Sequence, residues 1–196
     1  MNIRPGEHYT IRRKFFRIFG ASFRIVDPTG KVVGVCKQKA FKLKEDFRVY
    51  TDDSQAIELV AIKARNILDF SATYDVTLPS GQIIGSWRRR GISSTFFRDA
   101  WVAFDPAGRQ IATLQEKSGL LAILRRKLGI IAMLFPQKFI LRTDDGRQIA
   151  RFRTHINPIL YRLSIAVLEN DDQLDDLMIL VAGCLIAAIE GRQVDY

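Results

Sequence analysis

The chain has 196 residues, with 30 Lys and Arg against 21 Asp and Glu, so its formal net charge at pH 7 is +9. Hydrophobic residues make up 47% and charged residues 26%, proportions that indicate one globular domain over residues 1–196 and exclude disorder, collagen and coiled coil. Only Cys36 and Cys184 are available for disulfides, which favours free thiols in a reducing compartment. The N-terminal residues contain no apolar secretion signal, so we expect a cytoplasmic protein.

In chain order, the first elements are strands. Residues 9–13 alternate in polarity, and residues 23–34 then introduce a pattern that recurs three more times. An aromatic residue begins a strand, Pro or Asp begins a turn, a glycine supplies positive φ, and further apolar residues resume the strand. These hairpins are predicted at residues 23–34, 74–85, 101–112 and 139–150, with their glycines at Gly30, Gly81, Gly108 and Gly146.

Further alternating segments lie between and after the hairpins, at residues 47–51, 56–63 and 161–168. Together they predict about twelve strands between residues 9 and 168. That many antiparallel strands must close or stack to protect their edges, so a barrel or a sandwich follows.

The C-terminal segment is different, because residues 177–189 have no polar side chain apart from the thiol of Cys184. Acids precede it and Gly191-Arg192 follow it, which predicts a helix over about residues 173–190. The segment falls short of the roughly 18–20 residues of a membrane span, so a buried helix is favoured. A helix that is apolar all round must be surrounded, and a closed barrel of about twelve strands is wide enough. The predicted fold class is mainly β (α+β): a twelve-stranded closed antiparallel barrel around a central C-terminal helix.

Several stretches resemble the LURP-one-related family, which is grouped with the tubby C-terminal domain and the phospholipid scramblases. They are residues 9–16 (Tyr-Thr-Ile-Arg-Arg-Lys-Phe-Phe), the hairpin with Asp27 and Gly30, residues 39–46, residues 59–65 and Tyr74-Asp-Val. The resemblance covers roughly residues 9–192 and implies the same helix-filled barrel. Tubby domains bind phosphoinositide head groups through basic side chains, and scramblases act at membranes and bind calcium beside the last helix.

Two basic triplets are candidate anion-binding residues. Arg88, Arg89 and Arg90 end the second hairpin, where guanidinium groups suit phosphate oxygens or merely keep a strand end soluble. Arg125, Arg126 and Lys127 lie in residues 118–136, which contain no acid. That segment resembles a membrane-interface insertion. The favoured alternative is a pair of strands, or a strand and a short helix, that completes the barrel with the triplet exposed at a turn.

Catalytic and metal motifs are not apparent. The histidines are His8 and His155, and the acids at residues 171–176 lack the alternating spacing of a calcium loop and suit the helix dipole instead. We therefore predict no enzyme activity, no metal and no cofactor.

The sequence favours a non-enzymatic module that binds anionic phospholipid head groups, phosphoinositide-like ones among them, or an acidic partner. If it binds lipid, a peripheral position at an anionic membrane surface follows. A nucleic-acid-binding barrel is the first alternative, although the aromatic residues fall on core-facing strand positions. A purely structural or partner-docking barrel is the other.

Overall fold

The computed structural model describes residues 8–14, 22–38, 45–66, 72–90, 100–117, 136–155 and 160–189. These residues form twelve strands followed by one helix. The strands are β1 (His8–Lys14), β2 (Ser22–Val26), β3 (Val32–Gln38), β4 (Asp46–Tyr50), β5 (Glu58–Ala64), β6 (Thr73–Thr77), β7 (Ile83–Arg89), β8 (Ala100–Phe104), β9 (Gln110–Glu116), β10 (Lys138–Thr143), β11 (Gln148–His155) and β12 (Leu160–Val167). The helix, α1, spans Asp176–Ile189.

The strands form a closed antiparallel barrel. Each strand pairs with the one before it in the chain, and β12 closes the ring by pairing with β1, from His8 opposite Ala166 to Lys14 opposite Leu160. Closure leaves no sheet edge exposed. The predicted fold class, with twelve strands and a central C-terminal helix, is confirmed.

The four predicted hairpin turns share one geometry. Gly30, Gly81, Gly108 and Gly146 have φ values of 88°, 90°, 82° and 89°. In each turn the glycine N–H donates to the carbonyl three residues earlier, at 2.9–3.0 Å. A one-residue shift of register accompanies each turn. We call this end of the barrel the turn end, and the end at which β1, β3 and the other odd-numbered strands finish the far end.

The helix enters the barrel from the turn end through an acidic turn. Asp171 Oδ1 accepts hydrogen bonds from the N–H groups of Gln173 and Leu174, and Asp175 Oδ1 accepts one from Leu177. Asp171 Oδ2 also binds Arg147, at 2.6 Å. Asp175 therefore caps the helix, and Asp171 holds the turn before it. The helix begins three residues later than predicted because residues 171–175 form this turn.

The helix is the centre of the core. The residues from Met178 to Ala188 are buried, and large side chains of the barrel wall pack around them, including Ile11, Phe23, Phe47, Trp87 and Phe152. The indole Nε1 of Trp87 donates to the Met178 carbonyl at 3.2 Å. Within the described residues, no helix combines the length and the apolar character needed to cross a membrane.

Both cysteines are free and buried inside the barrel, Cys36 on β3 and Cys184 on α1. A hydrogen bond with Cys184, followed by burial, raises the pKa of the Cys36 thiol well above its ordinary value. The two residues therefore act as small apolar packing groups.

Candidate functional site

The structure separates the members of the first predicted triplet. Arg88 faces outward, with its guanidinium carbon 4.6 Å from the centre of the Phe104 ring. Arg89 lies at an inward-facing position of β7 and pairs with Trp101 on β8. Arg90 follows the strand and is exposed. Successive strand residues point to opposite faces, so these three guanidinium groups do not converge on one side of the wall.

The second predicted triplet, Arg125, Arg126 and Lys127, lies outside the described residues, as does most of the segment 118–136. Its proposed roles stay predictions.

A different concentration of cations covers the outer wall of five adjacent strands. On β11, Phe152 and Thr154 are buried, so Arg151, Arg153 and His155 point outward and are exposed. The same alternation turns cations outward on the neighbouring strands. We call the outward cations of β10, β11, β12, β1 and β2 the basic face: Arg12, Arg24, Lys138, Arg142, Arg151, Arg153 and Arg162.

The strand registers bring these side chains together. Arg12 lies directly opposite Arg24 on one side and Arg162 on the other. Arg162 in turn lies opposite His155 on β11. Directly opposed side chains have Cβ atoms about 4.5–5.5 Å apart. A continuous row of basic groups therefore crosses four strands near the far end.

The basic face has little acidic compensation. Among the described residues of β10, β11, β12 and β1, no outward position holds Asp or Glu. Arg24 pairs with Asp53 at 2.9 Å. The guanidinium of Arg151 lies against the side-chain amide of Gln148, a neutral group. Most of the positive charge on this wall is left without a counter-ion among the described residues.

Two guanidinium nitrogens of the basic face are also unsatisfied. Nε of Arg12 and Nε of Arg162 are buried and have no hydrogen-bond partner among the residues that the structure describes. Buried donors without an acceptor cost free energy. The arrangement therefore costs stability and leaves both guanidinium groups without an internal acceptor at Nε.

Two arginines on the opposite half of the barrel are paired with acids instead. Arg48 on β4 binds Asp46 and Glu58, each at 2.8 Å. Arg65 binds Asp75 at 2.7 Å. Hydrogen bonds to these carboxylates, led by Asp46 for Arg48 and Asp75 for Arg65, raise the pKa of both guanidinium groups. The positive charge is thus asymmetric around the barrel.

Many of the remaining acids hold their own turns at the turn end. Asp105 Oδ1 accepts from the N–H of Arg109, a hydrogen bond that lowers the pKa of the carboxyl group. Hydrogen bonds from Thr143 and then Arg147 lower the pKa of Asp145 to about 2. These carboxylates are ionised and bind groups within their own turns, so they do not neutralise the basic face.

His155 is the titratable group within this row. Its Nε2 lies 2.7 Å from the hydroxyl oxygen of Ser164 on β12. Desolvation, followed by the positive charges of Arg153 and Arg162, lowers its pKa. The neutral imidazole is therefore favoured unless an anion binds close to it.

Sequence reasoning missed the basic face although part of the signal was present. The order Arg151-x-Arg153-x-His155 repeats every second residue on a strand, which predicts one shared face. The contributions of Arg12 and Arg162 had no such signal, because these residues lie about 150 positions apart and meet only when β12 closes on β1.

The described residues contain no group of three or more His, Cys, Asp or Glu side chains placed to hold a metal ion. The chemistry available on the wall is hydrogen bonding and charge.

Comparison with known proteins gives one family. No curated protein and no solved structure matches the chain significantly. The model of the LURP-one-related family matches residues 32–186, from the start of β3 into α1. The closed barrel around a helix is consistent with the place of that family beside the tubby-like proteins. The chain therefore belongs to the LURP-one-related family.

Proposed function

We propose that this protein binds anionic phospholipid surfaces through the basic face. The observation that carries the proposal is the asymmetry of charge: the guanidinium groups of Arg12, Arg153 and Arg162 have no acidic partner among the described residues, whereas Arg48 and Arg65 on the other half have them. Each cation close to an anionic membrane contributes about 1 kcal/mol of attraction. Several such groups on one wall suffice for peripheral binding.

The distribution of the cations suits an extended surface. They run along the strands, from Arg142 near the turn end to Arg12 near the far end, and across several strands. Outward positions on the described parts of β10, β11, β12 and β1 include no Phe, Tyr or Trp on which a base could stack. Sequence-tolerant binding of single-stranded nucleic acid relies on such stacking, so lipid is favoured over nucleic acid.

Liposome flotation tests the proposal. The protein should float with vesicles that contain phosphatidylglycerol and stay behind with vesicles of phosphatidylcholine alone. Binding should weaken as salt rises, because salt screens exposed charges.

A matched pair of variants locates the site. Arg12→Gln with Arg153→Gln removes two charges from the basic face, and Lys37→Gln with Lys63→Gln removes two from β3 and β5 on the other half. The first pair should weaken flotation and the second should leave it unchanged. Equal losses in both, or no binding to either vesicle at low salt, would overturn the proposal. A salt-dependent shift of duplex DNA without vesicle binding would favour the nucleic-acid alternative.

Charge reversal of Arg125, Arg126 and Lys127 measures how much this triplet contributes to vesicle binding. If residues 118–136 form an insertion into the membrane interface, Arg125→Glu, Arg126→Glu and Lys127→Glu together should abolish flotation. If the triplet is only an exposed turn, flotation should persist through the basic face.

A further inference from the structure

A compact set of donors lies within the basic face. Ser164 on β12 has Arg153 directly opposite on β11 and Thr10 directly opposite on β1. In the next row toward the far end, Arg162 is flanked in the same way by His155 and Arg12. Ser164 therefore contacts the imidazole of His155 and has Arg153, Arg12 and Arg162 as neighbours on the same outer face of the wall.

Among the described residues, no acid pairs with these closely placed cations. Like charges directly opposite each other on a sheet destabilise it. The buried Nε atoms of Arg12 and Arg162 have no acceptor among the described residues. Basic residues on three adjacent strands thus neighbour one small area of the wall, a placement that one multiply charged anion at the outer surface would compensate.

We propose that Arg12, Arg153, His155, Arg162 and Ser164 form a subsite for a phosphate monoester. This inference rests on the proposed function and deepens it, because it specifies the head-group chemistry. A monoester carries up to two negative charges near neutral pH and three terminal oxygens, whereas a diester carries one charge and two such oxygens. Converging charge-assisted donors favour the ligand with more charge and more acceptors.

His155 adds a proton-dependent contact. The charged groups that face it are Arg153 on its own strand, Arg162 on β12 and Lys138 on β10, so no described acid competes with the ligand. A bound phosphate favours the imidazolium. Its Nε2–H then donates to Ser164 Oγ, and the hydroxyl hydrogen becomes free to donate to a phosphate oxygen.

The test compares vesicles with equal contents of phosphatidic acid, a monoester, and phosphatidylglycerol, a diester. We expect about tenfold tighter binding to phosphatidic acid, a ratio equivalent to about 1.4 kcal/mol. Ser164→Ala removes the hydroxyl without changing charge, so it should reduce the preference and leave phosphatidylglycerol binding intact. Thr77→Val, an outward hydroxyl on β6, is the control and should change neither.

Soluble phosphates identify the source of the ligand. Glycerol 3-phosphate should shift the His155 ring signal in proton NMR spectra and raise the pH at which it titrates, and diethyl phosphate should do neither. A shift with glycerol 3-phosphate shows that the subsite takes a free monoester, and a shift only with phosphatidic acid vesicles shows that it takes a monoester at a lipid surface. No shift with either would overturn the subsite.

Failure of the subsite can be distinguished from failure of the proposed function. Equal binding to both lipids, insensitive to Ser164→Ala, would overturn the subsite and leave the proposed function intact. If the unaltered protein binds neither lipid at low salt, the subsite and the proposed function are both overturned.

Discussion

Arg12 on β1 lies directly opposite Arg162 on β12, and both side chains face outward with a buried Nε that has no partner among the described residues. Two like charges in this position oppose closure of the barrel at its last seam. The seam nevertheless forms, because the inward residues beside them, Ile11 and Leu163, are fully buried against each other's strands. A local electrostatic cost of this kind is typical of a binding surface.

Replacing Arg162 with Gln should raise the free energy of unfolding by about 0.5 kcal/mol at low salt, because the repulsion from Arg12 disappears. Urea unfolding followed by tryptophan fluorescence measures it. The gain should shrink at high salt, where the charges are screened. A salt-independent loss of stability would contradict this interpretation of the pair.

Arg48→Met should have the opposite effect. Asp46 is only 3% exposed, and Arg48 is its ion-pair partner at 2.8 Å. Removing the guanidinium partner of a buried carboxylate costs about 3 kcal/mol. Urea unfolding should show this loss, and the double variant with Asp46→Asn should recover part of it. No recovery would mean that lost packing, and not the buried charge, explains the effect.

Stability should fall as the pH drops below about 6.5, the ordinary pKa of a histidine side chain, because the pKa of His155 is lowered in the folded protein. The folded state holds this group in its neutral form, so the unfolded state binds more protons between the folded pKa and the unfolded pKa. His155→Gln should remove this component of the pH dependence measured by urea unfolding. His8→Gln is the matched control, and an equal change in both variants would argue against His155 as the source.

Gly85→Ala should destabilise the barrel by about 1–3 kcal/mol, as is typical of overpacked positions. An added Cβ would lie 2.6 Å from the Phe104 carbonyl oxygen and 2.9 Å from Met178 Cε. The backbone of β8 cannot retreat without breaking its pairing with β7. Gly108→Ala is the comparison, because its φ is +82° but nothing lies within 4 Å of an added Cβ. Thermal melting should show the larger loss for Gly85→Ala.

Truncation after Gln173 should give insoluble or molten protein. The removed segment includes α1, and burial of each large apolar side chain contributes roughly 1.5–3 kcal/mol. Their sum exceeds a typical domain stability of about 5–15 kcal/mol. Leu180→Asp should act similarly, because Leu180 is 1% exposed and a carboxylate there has no room for water. A truncated protein that melts cooperatively would refute the structural role of the helix.

Local sequence patterns determined the architecture. Positive φ at Gly30 and Gly146 follows from turn chemistry that operates within four or five residues. Alternation of polarity determines which side of each strand is buried, and the apolar circumference of α1 requires a surrounding wall. Short-range steric rules and the hydrophobic effect are readable along the chain, so the strand number, the closed barrel and its central helix were all predictable.

The site was decided by tertiary structure. Arg88 and Arg89 are adjacent in sequence but point to opposite faces, whereas Arg12 and Arg162 are distant in sequence but neighbours across the β1–β12 seam. Strand register sets these neighbours, and register depends on how the whole ring closes around α1. The barrel also places β7 three strands from β10, the nearest strand of the basic face, which separates Arg88 from that face. Convergence of charge is a property of long-range pairing, so it became visible only in the closed barrel.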